Sequence, residues 1–512
     1  MVVVYHKNAR VTGISVENEL DVNIKNFSVV YNLCELAQAH PDKIIIWCHE
    51  DLRPALNTDA IPTLFHHKKL LFSYNNSDEN FLVNQIGYVE ESIFIKVNKL
   101  VQFPTWQMSG KVGAVHASVL NGCKDYINTD ESLDYFLNSL AKRAMPFGLL
   151  CYSEPALLKK NEIVVGHPKA GNTLLFRFVK QHYKTRWIFL LLLNLLWHEH
   201  QFPFGAFLKS VFYRKRKFSQ KALSDIAVNS NRKISSDFSI DVIIPTIGRK
   251  THLYQVLKDL SAQSHLPVNV IVVEQNPELG SQSELDFILN EQWPFAIRHI
   301  FTHQAGACNA RNVCLSHTKS NYVFFADDDN RFDKDLIKQV FEKFHQFGND
   351  VLQVAYPQVN EKISKKPVFQ YAFFGAGNAF LKRSCLENVL FDMGFEFGYG
   401  EDNDFGMQLR NHGFDVLYAS DISIVHLKAP MGGFRTKPVL QWSHEKVQPK
   451  PSPTIMLFLL KHYTTEQING YQTNSFFKFY KYQSEKNPFR YKRIFQEKWD
   501  SSVFWAKKLM QQ

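Results

Sequence analysis

At 512 residues the chain is too long for one hydrophobic core, so two or three domains are expected. Hydrophobic residues make up 45% and charged residues 21%, which excludes wholesale disorder. A net charge of +10 points to an acidic partner: a nucleotide diphosphate, an anionic membrane or a nucleic acid.

The N-terminal run Met1-Val2-Val3-Val4-Tyr5-His6-Lys7 has no basic region followed by a long apolar core, so no signal peptide is expected. Lys43-Ile44-Ile45-Ile46-Trp47-Cys48-His49 reads as a strand with a polar end, and Val112-Gly113-Ala114-Val115-His116-Ala117 as another. The cysteines at 34, 48, 123, 151, 308, 314 and 385 are scattered and form no C-x-x-C pair. Neither a disulfide framework nor a zinc site is expected, and a reducing cytosol fits.

The most apolar stretch, residues 187–197 (WIFLLLLNLLW), is well short of the roughly 20 residues that cross a bilayer. Tyr213-Arg214-Lys215-Arg216-Lys217 follows soon after. A buried helix with a solvated basic end is the plainer reading; contact with an anionic membrane surface is the sharper one. Residues 1–218 are therefore read as an N-terminal α/β domain, and the Ser-, Asn- and Lys-rich stretch 219–238 as a linker.

The segment 239–436 alternates clearly. Ile240-Asp241-Val242-Ile243-Ile244-Pro245 is a strand, residues 253–260 have helical spacing, and Val268-Asn269-Val270-Ile271-Val272-Val273-Glu274 is a second strand. A helical region at 310–318 precedes Tyr322-Val323-Phe324-Phe325-Ala326-Asp327-Asp328-Asp329-Asn330, an apolar strand ending in three carboxylates. This order describes a parallel α/β sheet, whose ligands bind beyond the carboxyl ends of the strands, where Thr246, Glu274 and Asp327–Asp329 all fall. Adjacent carboxylates repel and are costly to bury, so such a cluster calls for a cation or hydroxyl groups. Hard divalent cations prefer oxygen ligands and often bridge carboxylates to phosphates; a solvated acidic turn is the plainer reading. Gly398-Tyr399-Gly400-Glu401-Asp402-Asn403-Asp404-Phe405 places further acids at a helix start, whose positive end favours ionised carboxylates. A carboxylate held over a pocket can act as a general base on a hydroxyl.

A faint echo links the halves. Gly113-Ala114-Val115-His116-Ala117 precedes Asp130-Glu131-Ser132-Leu133-Asp134-Tyr135-Phe136, as Gly375-Ala376-Gly377-Asn378-Ala379 precedes Glu401-Asp402-Asn403-Asp404-Phe405. The N-terminal half is thus a candidate degenerate copy of the same fold. It lacks an Asp-Asp-Asp counterpart at a strand end, and so would lack the metal site.

These motifs resemble the family 2 glycosyltransferases of the GT-A fold over residues 238–436. Val242-Ile243-Ile244-Pro245-Thr246 is similar to that family's first nucleotide-binding strand, and Glu274 falls where the family carries an acid that contacts the base. Gly306-Ala307-Cys308-Asn309-Ala310-Arg311-Asn312 resembles a Gly-rich segment near the nucleotide. Asp327-Asp328-Asp329 resembles the DxD metal motif, and Gly400-Glu401-Asp402 the later Glu-Asp motif. About 70 residues separate the two acidic clusters.

The resemblance implies an α/β GT-A (Rossmann-like) catalytic domain with the N-terminal α/β domain and a C-terminal helical tail, residues 437–512. It implies a metal-dependent, inverting glycosyltransferase of surface polysaccharide synthesis. Asp402 would be the base and Glu401 would orient the acceptor. Pro245, Thr246, Glu274, Arg311, Asp327 and Asp328 would bind the nucleotide sugar. Asp329 and Asp327, with His426 as a further ligand, would hold Mn²⁺ or Mg²⁺, although a lone histidine is commonly structural. Gly432-Gly433-Phe434-Arg435 would form a loop with a cation near the diphosphate. The implied partners are a nucleotide-diphosphate sugar, a UDP-sugar before others, and a glycan or lipid-linked acceptor, with peripheral contact at the inner face of the membrane, a cytoplasmic location and no nucleic acid. The basic, aromatic tail reads as helices packed on the catalytic domain, or as a membrane or acceptor contact. The chain carries no QxxRW-type motif after Glu401-Asp402 and no transmembrane helix is expected, which argues for single-sugar transfer. Loop residues 357–374 would set specificity.

Two other classes remain in view. A sugar nucleotidyltransferase usually opens with a Gly-rich basic loop after its first strand, which Thr246-Ile247-Gly248-Arg249-Lys250 matches poorly. A non-catalytic glycan- or polyanion-binding protein on this scaffold would also suit the positive charge; no zinc-finger spacing or RNP-like segment supports nucleic-acid binding.

Overall fold

The computed structural model describes residues 1–511 apart from 18, 22, 23, 25, 160–164, 167, 234–236 and 430–437. Two compact units share the chain: residues 1–231 with 463–482, and residues 232–462 with 483–512. The residues after 437 therefore do not form a single tail module. The helix Thr465–Tyr480 belongs to the first unit, while Pro453–His462 and Pro488–Leu509 belong to the second.

The first unit is built on eight strands: β1 (Val2–Lys7), β2 (Arg10–Val16), β3 (Glu19–Asp21), β4 (Ile44–His49), β5 (Leu70–Tyr74), β6 (Phe103–Pro104), β7 (Val112–His116) and β8 (Leu150–Ser153). Their order across the sheet is β3-β2-β1-β4-β7-β5-β8-β6. The runs VVVY and IIIWC are rich in β-branched residues and largely buried, as central strands require. β1 and β2 are joined by Asn8-Ala9, both at positive φ (52° and 60°), the turn geometry that suits the right-handed twist of a hairpin. The helix Val29–Ala39 is capped by Ser28, whose Oγ accepts from the Tyr31 N–H.

The second unit carries β9 (Ile240–Thr246), β10 (Asn269–Gln275), β11 (Ala296–Thr302), β12 (Tyr322–Ala326), β13 (Asn330–Phe332), β14 (Val351–Ala355), β15 (Phe369–Gln370), β16 (Asn378–Lys382) and β17 (Val416–His426). The order is β11-β10-β9-β12-β16-β14-β17-β13, with β15 paired to β17. β11, β10, β9 and β12 run parallel, so Thr302, Gln275, Thr246 and Ala326 end at one edge. The sheet is mixed rather than wholly parallel, because β16 is antiparallel to β12 and begins at that same edge, with Asn378 opposite Ala326. β17 is also longer than the short strand expected before His426: it runs eleven residues and ends on that histidine.

The two sheets share a plan. β1-β4-β7-β5-β8 and β9-β12-β16-β14-β17 have the same order and the same sequence of parallel and antiparallel pairings. β6 pairs antiparallel with β8 as β15 does with β17. They differ beyond the first strand: β1 is flanked by the antiparallel hairpin β2-β3, β9 by the parallel strands β10 and β11.

Aromatic packing fixes the helix Glu401–Asn411 against β12. Phe405 stacks on Phe391 at 4.4 Å and meets Phe325 edge-on at 5.5 Å. Asp404, fully buried, is gripped by His462 and Lys461 at 2.6 Å each, tying this helix to Pro453–His462. At the opposite edge of the sheet, buried Asp241 accepts from the N–H groups of Lys319 and Ser320, the Ser320 hydroxyl and the Asn269 amide. Its loss would leave several buried donors without a partner. Asp241→Ala is therefore expected to cost about 2–4 kcal/mol in urea unfolding, whereas Asp237→Ala, at an exposed position, should cost under about 0.5 kcal/mol.

Candidate active site

The chain leaves β12 at Ala326 and turns through Asp327-Asp328-Asp329 before pairing again as β13, where Asn330 lies opposite His426. This turn brings the acidic triplet and His426 together from almost 100 residues apart in sequence. Oxygen atoms of Asp327 and Asp329 and a ring nitrogen of His426 lie within 4.8 Å of one another. Among the described residues no other group brings three such ligand atoms so close.

Each carboxylate has its own surroundings. Asp328 faces inward, accepting from the Thr246 hydroxyl at 2.7 Å and from Arg249 at 2.6 Å. Burial pushes its carboxyl up to about 6, against the pull of Arg249 and Thr246. Asp329 is also buried, but its Oδ2 accepts from the Ala429 N–H at 2.8 Å and lies 3.3 Å from Arg249. Burial works against ionisation there, and His426, Ala429 and Arg249 outweigh it, holding the group at about 2. Its Oδ1 makes no hydrogen bond and lies 3.4 Å from His426 Nε2. A buried carboxylate oxygen left over in this way, beside a second carboxylate and an imidazole, fits a hard divalent cation.

Tyr356, which follows β14, organises the site. Its ring stacks on His426 at 4.6 Å and 4° between planes, and its hydroxyl donates to Asp327 Oδ2 at 2.9 Å while also reaching Asn330. Asn330 in turn donates to the Gly377 carbonyl at 2.8 Å.

The second acidic cluster meets the first through Arg311. This buried arginine, on the helix Ala307–Ser316, lies 3.4 Å from Asp327 Oδ1 and 3.4 Å from Asp402 Oδ1. Glu401 and Asp402 are the first two residues of their helix, preceded by Gly400 at φ 108°. The Asp402 Oδ2 accepts from the Ala376 N–H at 3.0 Å. Burial raises both carboxyls and Arg311 opposes the rise; Glu401, beside the Asp402 charge, is pushed up to about 7.

A cavity of about 390 Å³ opens over these groups, lined by Pro245, Thr246, Arg311, Asp327, Asp328, Asp329, Glu401 and His426 among the predicted residues. Glu274 and Asp402 are not part of its wall. Glu274 accepts from Ser283, from the Glu284 N–H and from His299 at 2.8 Å, so its oxygens are engaged within the protein. The Gly432-Gly433-Phe434-Arg435 loop lies outside the described residues.

Sequence reasoning missed several contributors. Arg249 binds two of the three carboxylates, and its position just after β9 was the available signal. Gln275 accepts from the Gly306 N–H at 2.6 Å, and Glu396 accepts from the Cys308 and Asn309 N–H groups, capping the helix that carries Arg311. Gly377 has no room for a side chain: a Cβ there would lie 2.2 Å from Asp327 Oδ2. In the first unit, the strand end matching Asp327–Asp329 carries His49-Glu50-Asp51. Asp51 pairs with Lys7 and Glu50 accepts from Thr12, both at the surface. Asp134, second residue of its helix, accepts from the Gly110 N–H at 2.7 Å as Asp402 does from Ala376.

The second unit is thus a Rossmann-like α/β domain with paired carboxylates and a histidine over the carboxyl edge of its sheet. Residues 241–401, under a third of the chain, match the family model described as glycosyl transferase family 2. An uncharacterized glycosyltransferase of Rickettsia felis is 24% identical over 179 residues, covering 35% of this chain and 29% of the relative. The GalNAc(5)-diNAcBac-PP-undecaprenol beta-1,3-glucosyltransferase of Campylobacter jejuni is 23% identical over 178 residues, covering 32% of this chain and 57% of the relative. The chain thus spans under two thirds of either. The crystal structure of S. aureus TarS 1-349 in complex with UDP-GlcNAc is 16% identical, with a TM-score of 0.34, over 46% of this chain and 70% of that one.

Two expectations follow from the geometry. Gly377→Ala should displace Asp327 and weaken Mn²⁺ binding, read by isothermal titration calorimetry, at least tenfold, while Gly205→Ala, in open space, should not. The raised Glu401 carboxyl favours the folded state fully below its ordinary value of 4.5, and that contribution is lost as pH rises through about 7. Glu401→Gln, always neutral, should gain stability relative to the parent between pH 4.5 and 8 in urea unfolding, not below.

Proposed function

We propose that the second unit transfers one sugar from a nucleotide-diphosphate donor, a UDP-sugar before others, to a hydroxyl of a glycan or lipid-linked acceptor in surface polysaccharide synthesis. The observation that carries this reading is the convergence of Asp327, Asp329 and His426 with Arg311, Glu401 and Asp402 beside one cavity at the sheet edge. Within it, residues 239–436 are the catalytic segment. Residues 1–218 are a degenerate copy, supported by the shared strand plan and by the Asp134–Gly110 contact, with 219–238 as the linker. The protein works in the cytoplasm.

Asp329, Asp327 and His426 would hold Mn²⁺ or Mg²⁺. When bound there, the cation offsets the charge that grows on the leaving diphosphate. Thr246 and Pro245 form the cavity wall beneath the nucleotide, and Asp328, locked by Thr246 and Arg249, shapes the floor. Arg311 keeps Asp327 and Asp402 a fixed distance apart, so that the donor and acceptor halves of the site are held in register. Asp402 takes the acceptor hydroxyl proton. The acceptor oxygen forms its bond to the anomeric carbon as the carbon–oxygen bond to the diphosphate breaks, and the electron pair leaves with the diphosphate. Attack from the face opposite the leaving group inverts the anomeric centre. Glu401, on the cavity wall, orients the acceptor.

Donor binding and turnover should be measured across UDP-, GDP- and dTDP-sugars with and without Mn²⁺. The expected result is metal-dependent binding of one donor class, lost in Asp329→Ala. Asp402→Asn should keep donor binding and lose about 10²- to 10⁴-fold in kcat. Absence of metal-dependent donor binding by the parent protein would overturn the enzyme reading.

A further inference from the structure

The first unit carries a surface that the transferase reading does not use. The helices Trp187–His198 and Phe204–Val211 form a hairpin on the helix Asn172–His182, held by Phe189 against Phe207 at 5.2 Å and Phe176 against Phe207 at 6.1 Å. Ile188, Leu191 and Leu195 turn inward and are buried. The other side of the hairpin remains apolar. Phe189, Trp197, Phe202, Phe204, Leu208, Val211 and Phe212 are all exposed, Phe202 by 71% and Phe212 by 86%. Phe204, Leu208 and Val211 recur at helical spacing on one face, so this is a continuous apolar strip rather than scattered residues.

The charge around the strip is one-sided. Between residues 184 and 221 there are eight lysines and arginines and one acid, Glu199. Glu199 is turned to Tyr88 and Gln85. Lys184, Arg186, Lys209, Arg214, Lys215 and Lys217 are exposed, and none of them forms an ion pair among the described residues. Arg216, the exception in the cluster, anchors the segment inward on Glu131.

We propose that this hairpin is a docking surface for an anionic phospholipid bilayer, inserted at the level of the headgroups. Neither helix is long enough to cross: they have 12 and 8 residues, about 18 and 12 Å at the α-helical rise. An in-plane hairpin buries its aromatic strip at the acyl boundary while the flanking cations reach lipid phosphates. Eight cations against one acid beside an exposed aromatic strip match the charge of an anionic headgroup plane over an apolar interior. The proposal deepens the reading of a lipid-linked acceptor, yet its test does not depend on catalysis.

The test is co-sedimentation of the full chain with vesicles of phosphatidylcholine alone and of phosphatidylcholine mixed with phosphatidylglycerol. The full chain should pellet with the anionic vesicles and much less with the neutral ones, and rising salt should release it. Leu208→Ser with Phe212→Ser should lower partitioning at least tenfold. Arg214→Glu, Lys215→Glu and Lys217→Glu together should abolish the preference for anionic lipid, at about fivefold per charge removed. All of these positions are exposed, and circular dichroism checks that the variants fold. A parent protein that stays in the supernatant, or serine and glutamate variants that pellet as the parent does, would overturn the proposal. So would a dimer in analytical ultracentrifugation that the serine variant dissolves, since it would assign the strip to a second copy of the chain. Donor turnover measured on free acceptor should be unchanged in both variants, which separates failure of docking from failure of the transferase reading.

Discussion

Mutual repulsion among carboxylates at one sheet edge is the constraint on which the second unit depends. Asp327, Asp328, Asp329, Glu401 and Asp402 converge there, and a bare cluster of this kind would oppose folding. The protein offsets it with two arginines and a set of hydroxyl and amide donors placed between the acids. Arg249 and Thr246 satisfy Asp328; Arg311 bridges Asp327 and Asp402. Among the described residues, the buried Asp329 Oδ1 is left without a hydrogen bond, next to His426 and Asp327. A need for positive charge remains at that spot.

The rest of the unit holds these groups still. Tyr356 stacks on His426 and bonds to Asp327, so one ring orients two of the three ligand candidates. Phe325, Phe391 and Phe405 lock the helix bearing Glu401 and Asp402 against β12, the strand that leads into Asp327. Glu396 satisfies the first free amides of the helix that carries Arg311, so its anchor is itself capped. A helix start and a short turn pinned between two strands thus set the distances between the acidic clusters.

The first unit shows what the same strand plan looks like without this constraint. Its matching strand end bears His49-Glu50-Asp51, whose acids pair outward with Lys7 and Thr12. The contact from the second helical residue to the backbone before the antiparallel strand persists at Asp134 and Gly110. The parallel strands that flank β9 are replaced by a hairpin, which needs only a two-residue turn instead of a helical crossover. The apolar hairpin at 187–211 belongs to this unit and gives it a different surface chemistry.

Local pattern determined much of this in advance. Runs of β-branched and aromatic residues placed β4, β7, β9, β10 and β12, because a central strand must be apolar on both faces. The acids at Asp327–Asp329 and Glu401-Asp402 stand out in the sequence because a buried core does not account for them, a solvated turn being the plainer alternative. The echo between Gly113–Phe136 and the second half falls in two units whose sheets share a strand plan. The tertiary structure decided the remainder. Pairing partners are not written in a strand's own sequence, so the reversal of β16 and the length of β17 emerged only from the sheet. Tyr356 and Gly377 look ordinary in sequence and gain their roles from distance alone. Glu274 falls near the end of β10 as its pattern predicts, and only the fold brings Ser283 and His299 to its oxygens. Residue type limits what a side chain can do, and only packing sets which partner reaches it first.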